Sequence, residues 1–575
     1  MQAFPFRCAI GAVLLAVLAA CGGGGGSDPG TTEPPPVVIE KPATRDEAAR
    51  FLTQASFGPT EADIDRVMDV GYAAWIDEQF ALAPTSHRST WEAADAAIKA
   101  GGGSGAGQDQ VVESFWRQAA TGPDQLRGRV AYALSQIFVI SMVDGNVGEN
   151  PRAVAAWMDM LGSDGLTTYR QLLESVSRHP MMGYYLSHLK NQKADARTGR
   201  VPDENYAREV MQLFSIGLVE LNEDGSAKTT DTYGPADIQG LAKVFTGWSS
   251  ACPDWPDNGC FFNGSVNNVS DPDRGFKPML GYPQYHSTDE KTFIGTTIPA
   301  QTSSDPTASL KTALDRLAAH PNVGPFIGRQ IIQRLVTSNP SPAYITAVSR
   351  AFADNGSGVR GDLKAVVKAV LMHPEARRMN DRSGKLREPV LKLSALLRAF
   401  PHASDTGSWR IGNTDNAASS LGQTPMRSPS VFNFYRPGYV APGTQSANAS
   451  LVAPELQIAH ETSAAGYTNY MRDAVSLGVG STNAAFNNRR DVQPNYSAEL
   501  ALADQPAALV DRIAAKLTYG TAPAALKTEI TDAISKITIP AATGSNQAAI
   551  DTAKRNRVNA ALLLVLASPE FQVQK

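Results

Sequence analysis

Cysteine is nearly absent, with four residues in 575. No two of them have the Cys-x-x-Cys spacing of a thiolate zinc site, which excludes that metal class. An excess of charge of one sign is also missing. Lys and Arg number 52 against 56 Asp and Glu, and so balanced a chain has no nucleic-acid footprint. Removing residues 1–20, which hold only Arg7, leaves 51 against 56, or −5. There is no heptad array and no solenoid repeat of fixed period. G-x-S-x-G, H-E-x-x-H, Walker and c-type haem motifs are missing too, so those enzyme classes lose their sequence support and no cofactor is expected.

What is present begins with MQAFPFRCAIGAVLLAVLAAC. One Arg precedes an apolar run from Ala9 to Ala20 that is too short for a comfortable membrane span, so residues 1–20 read as a signal peptide. Leu18-Ala19-Ala20-Cys21 resembles a bacterial lipobox. That resemblance implies cleavage before Cys21, a diacylglyceryl thioether on its sulfur and an acylated amine. Each buried CH₂ contributes about 0.8 kcal/mol, so the acyl chains of Cys21 would hold the protein on a lipid bilayer. Gly22 after the Cys favours the outer membrane. Residues 21–44, rich in Gly and Pro, cannot form a core and read as a tether. Cys252 and Cys260 then remain, bracketing CPDWPDNGC, and an oxidising compartment makes them a disulfide.

The length permits one large or two ordinary domains. Residues 45–575 read as a single mainly α, multi-helix domain with a small β-hairpin and long structured loops. Thr44 with Glu47 and Thr60 with Asp63 mark helix starts. His179, His320 and His373 each precede a Pro at the end of a helical pattern, where Pro stops the helix and a cation would suit the dipole. Asp224-Gly225 centres a hairpin between Leu218 and Tyr233. Residues 250–300 form a loop-rich insertion and 479–498 a connector.

Candidate chemistry centres on RVPDENYAREVMQLFSIGL, residues 200–218. Asn205, Arg208, Glu209 and Gln212 fall at i, i+3, i+4 and i+7, so the stripe that is normally apolar is polar here, opposite Tyr206, Val210, Leu213 and Phe214. Pairs one turn apart can orient one another, and a carboxylate raised by burial can act as a general acid. The same face is equally explained as a solvated surface laced with weak pairs. His286, near Asp289 and Glu290, is the candidate titrating group, against the alternative of a surface loop histidine. Aromatic segments supply Trp248, Trp255, Phe434, Tyr435 and Arg436 as candidate binding residues, or as pins for loops on the core. The loop from Asn191 to Glu204 offers Asp195, Asp203 and Glu204 as oxygen ligands but lacks the acid register of an EF-hand.

AARFLTQASFGPTEADI, DQLRGRVAYALSQIFVIS, PDENYAREVMQLFSIGLVELN, ADIQGLAKVFTGWS, RQIIQRLVTSNPSPAYI, GKLREPVLKLSALLRAF, LGQTPMRSPSVFNFYRPGY and ASPEFQVQ resemble, in order, the motifs of the bacterial family called domain of unknown function 1800. The resemblance runs from about residue 45 to the C-terminus. It implies a large exported bacterial protein, with no activity to carry over. It also implies a co-exported neighbour whose fold resembles phosphatases and sulfatases, as a possible partner. PDENYARE is a family hallmark, usually with Glu where Gln212 stands, and it favours a buried polar network or site at Asn205, Arg208 and Glu209. Three functions are expected on these grounds. The first is a lipid-anchored envelope protein binding a co-exported partner. The second is an envelope hydrolase or lyase with Glu209 as acid/base, Arg208 as clamp and Asn205 as orienting group. The third is a polysaccharide-binding module using the aromatic loops.

Overall fold

Helix starts in this chain are written by side chains that occupy the free N–H groups of the first turn. The Thr60 hydroxyl accepts from the Asp63 N–H at 3.1 Å while the Asp63 carboxylate accepts from the Thr60 N–H at 3.2 Å, a reciprocal capping box. Thr44 likewise accepts from the Glu47 N–H at 3.2 Å, but the Glu47 carboxylate reaches one residue further back, to the Ala43 N–H at 2.7 Å.

The computed structural model describes residues 40–380 and 383–575. The expected signal peptide, Cys21 and the tether up to residue 39 lie outside the described residues. Glu40–Lys575 forms one unit. Helices dominate it, and among the described residues the strands make five two-stranded ladders and one three-stranded sheet. One continuous apolar core runs from Phe51 near the start to Phe571 near the end. The C-terminus of this unit is tied in: Val573–Gln574 pairs with Lys385–Leu386, and the Gln574 amide donates to Leu335 O at 2.7 Å. No helix of the described residues is long and apolar enough to cross a membrane.

The three His-Pro sites end helices as expected, with extended backbone at His179, His320 and His373. Their electrostatic role differs from the expectation. In each, Nδ1 accepts the backbone N–H two residues on, at 3.2 Å from Met181, Asn322 and Glu375 respectively. A nitrogen that accepts carries no proton, so these rings are neutral caps of the following turn. Burial lowers all three pKa values, that of His179 to about 3.

The hairpin forms between Val219–Leu221 and Ala227–Asp231, with Gly225 at φ +77° in the turn. Residues 479–498 are not a connector. Val479–Asn483 and Arg489–Pro494 pair antiparallel, and His402–Ser404 adds a third strand. Within the three strands only Val479 and Val492 are buried apolar residues, while the Asp491 carboxylate does the pinning through Ser404 Oγ and the Thr406 and Arg410 N–H groups. A strand held by one polar residue has no alternating apolar pattern to read. In the loop-rich insertion, Cys252 and Cys260 are joined, their Cα atoms 5.6 Å apart.

Candidate functional site

Gln125–Ser135, Val323–Leu335 and Pro389–Ala399 are helices that bury charged residues on their core-facing sides. Arg129, Tyr132 and Gln136 follow one another at helical spacing, on a face that apolar residues would normally fill. They meet Glu388, the residue immediately before the third helix. Its Oε2 accepts from Tyr132 Oη at 3.0 Å, Gln136 Nε2 at 2.5 Å and Gln423 Nε2 at 2.8 Å. Lys385 Nζ lies 3.8 Å from Glu388 Oε1 and 3.0 Å from Glu455 Oε1, and donates to Arg334 O at 3.0 Å. Arg129 Nη2 donates to the same carbonyl at 2.7 Å.

All these side chains are buried. Formally Arg129, Arg334 and Lys385 face Glu388 and Glu455, three positive charges against two negative. Burial alone would push the Glu388 carboxyl up, but Lys385, Arg129, Arg334 and the Gln423 amide hold it below its usual range. Burial, then the Glu388 charge, push the Tyr132 phenol well up.

In front of this network a cleft of about 860 Å³ opens between the hairpin, the Val323–Leu335 helix and the segment 431–440, with Gln212 at one corner. Its walls are apolar, including Leu213, Leu218, Phe326, Phe432 and Val440, and Leu218 is 57 % exposed. Arg329, Arg334 and Arg436 line it together with Gln136, Gln330 and Gln333. Among the described residues no carboxylate, imidazole, thiol or lysine amine does.

Two of these arginines, Arg329 and Arg436, lack counter-ions among the described residues. Arg329 is half-buried, its pKa lowered by burial alone, and it has no hydrogen bond or ion pair to any described residue. Arg334 stacks 4.7 Å from the Tyr435 ring, and Arg436 4.7 Å from the Phe432 ring. Among the described residues none of the three has a carboxylate within 4.0 Å. Gln136 Oε1, Gln330 Nε2 and Gln333 Oε1 are buried without hydrogen-bond partners.

The residues singled out from sequence disperse. On the helix Asn205–Gln212, Asn205 and Arg208 are exposed, and Arg208 pairs with Glu204 at 3.2 Å. Tyr206 and Val210 take the buried side. Glu209 is half-buried; burial raises its pKa, and its Oε2 has no partner. Gln212 reaches the cleft. This face is therefore mainly solvated, and the buried polar network of the chain centres on Glu388 instead.

His286 is 0 % exposed, not a surface histidine. Its ring bonds Thr246 O at 2.8 Å through Nδ1 and Ser309 Oγ at 3.0 Å through Nε2, not Asp289 or Glu290. Burial lowers its pKa to about 4, so it does not titrate near neutrality.

Trp248 and Tyr435 are core residues, Trp248 donating to Val244 O at 3.2 Å. They pin loops, and neither ring offers a binding face. Phe434 is half-buried, Trp255 is 46 % exposed with Nε1 donating to Gly281 O at 2.9 Å, and Arg436 belongs to the cleft. Asn191 is buried and brackets Asp203, accepting from its N–H at 2.9 Å and donating to its carbonyl at 3.2 Å. No group of three or more metal-ligating side chains occurs among the described residues.

Sequence reasoning missed the Glu388 network because its members are far apart along the chain. The available signal was charge on a core-facing helical stripe within RGRVAYALSQ, RQIIQRLV and GKLREPVL. No match is found among curated proteins or solved structures. The family described as "Protein of unknown function (DUF1800)" matches residues 50–573, nearly the whole chain, and the protein belongs to it.

Proposed function

We propose that this chain is a lipid-anchored cell-envelope protein, on the outer membrane, that binds a co-exported partner protein in the cleft. The cleft carries the reading. It joins exposed apolar walls to Arg329 and Arg436, which lack counter-ions, and among the described residues no carboxylate, imidazole or thiol lines it to serve as general acid, base or nucleophile. The lipobox-like Leu18–Cys21 supports the anchor, and the family resemblance supports a phosphatase- or sulfatase-like neighbour as partner.

The alternative, an envelope hydrolase or lyase, draws on the raised, half-buried Glu209 carboxyl. Its sequence-stripe companions Asn205 and Arg208 are exposed to solvent. A polysaccharide-binding role would draw on the exposed face of Trp255.

In-cell crosslinking of the full chain tests the first reading. A complex with the co-encoded exported neighbour is expected, lost in Leu218→Glu and shed from the membrane in Cys21→Ser. No complex with the wild-type chain would defeat it.

A further inference from the structure

We propose that the cleft binds an extended peptide segment in which carboxylates alternate with large aliphatic or aromatic side chains. This rests on the partner-binding reading and names what the partner presents.

The first ground is charge. Many of the partly buried arginines elsewhere in the chain are matched by carboxylates, and Arg127, Arg360 and Arg557 by backbone carbonyls. Arg152 has Glu92 and Asp273, Arg170 has Glu174 and Asp315, Arg398 has Asp63, and Arg427 has Asp415. Among the described residues, the guanidinium groups of Arg329 and Arg436 have neither a carboxylate nor a carbonyl partner, yet they line one cavity. A guanidinium withdrawn from water without an anion is costly. Arg329, half-buried without a partner, and Arg436 on the same cavity mark the place where a ligand supplies the anion. In a polypeptide ligand that anion is a carboxylate, which guanidinium binds in a forked pair.

The second ground is the unpartnered amides. Gln136 Oε1 and Gln333 Oε1 are acceptors and Gln330 Nε2 is a donor, all buried and unused. Buried polar atoms are ordinarily satisfied. Acceptors and donors together match the N–H and C=O groups of an extended backbone, which has no internal partners for them.

The third ground is the wall. Leu213, Leu218, Val219, Val431 and Val440 with Phe326 and Phe432 make a continuous apolar surface. Such a surface fits Leu, Ile or Phe side chains.

Selection from a displayed library of random peptides on the full-length chain in detergent tests this. Enriched sequences are expected to carry Asp or Glu beside Leu, Ile, Val or Phe. A dye-labelled copy of one is expected to lose about tenfold in affinity in Arg329→Gln/Arg436→Gln and to weaken with salt. The variant's unfolding midpoint is read alongside to establish that it is folded. Enrichment of basic or uncharged sequences, no enrichment, binding indifferent to the variant, or glycan-array binding in place of peptide binding each overturns the proposal. The partner reading fails separately. A cellular complex that ignores the arginine variant leaves the partner and removes this ligand class. Arginine-dependent binding of acidic peptides without any cellular complex does the reverse.

Discussion

Gln136 joins the buried carboxylate to the cleft: its Nε2 donates to Glu388 Oε2 at 2.5 Å across 252 residues of sequence, its Oε1 is unpartnered, and the residue lines the cavity. The floor of the cleft is therefore held by a charged network rather than by apolar packing.

That network gives the first prediction. Glu388→Gln keeps the shape but leaves Lys385, Arg129 and Arg334 facing one acid, and is expected to cost about 3–5 kcal/mol, since breaking a buried pair strands its partners. The folded Glu388 pKa lies below its ordinary 4.5. Its stability contribution is thus complete above about pH 4.5 and is lost as pH falls through the lower folded value. Denaturant unfolding followed against pH is expected to show a lower midpoint and a flatter acid limb in the variant. An unchanged midpoint would mean that the network does not hold the floor.

Acid sensitivity is expected to begin higher, through histidine. His179 titrates at about 3 in the folded chain and His188, His286 and His402 at about 4, all from 6.5, because burial disfavours the imidazolium. Below pH 6.5 the unfolded chain takes up protons that the folded chain refuses, so stability falls with pH until the folded values are reached. Each buried ring contributes a slope of about 1.4 kcal/mol per pH unit across that window. His286→Gln is expected to reduce the slope between pH 6 and pH 4 by about one such increment, read by thermal melts at stepped pH.

The Arg208→Ala/Glu209→Gln variant is expected to keep or slightly raise its unfolding midpoint. Arg208 makes only an exposed i,i+4 pair, worth a few tenths of a kcal/mol. Glu209 has a buried oxygen without a partner, so an uncharged amide relieves desolvation. A loss of many degrees would place the stripe in a structural network after all.

Trp248→Ala and Trp255→Ala are expected to separate cleanly. The first empties a buried site and costs about 3–5 kcal/mol, while the second trims a ring that is 46 % exposed and costs little. Calorimetry on both variants reads the difference, and equal midpoints would contradict the pinning role of Trp248.

What the sequence determined by itself is local. The His-Pro stops act between a residue and the N–H two positions on, the Thr60–Asp63 box spans one turn, the hairpin turns on Gly225, and the disulfide closes a separation of 8. Each is fixed by neighbours in the chain, so composition and spacing reveal it. The polar stripe from Asn205 to Gln212 showed two unlike faces, but amphipathicity does not say which face meets water, and packing turned the Tyr206 side inward. The cleft and the Glu388 network were decided only by the tertiary structure. Arg129, Arg334, Lys385, Glu388 and Glu455 are ordinary charged residues until folding removes water from around all of them at once. Only then do their missing and present partners acquire the energies that define a site.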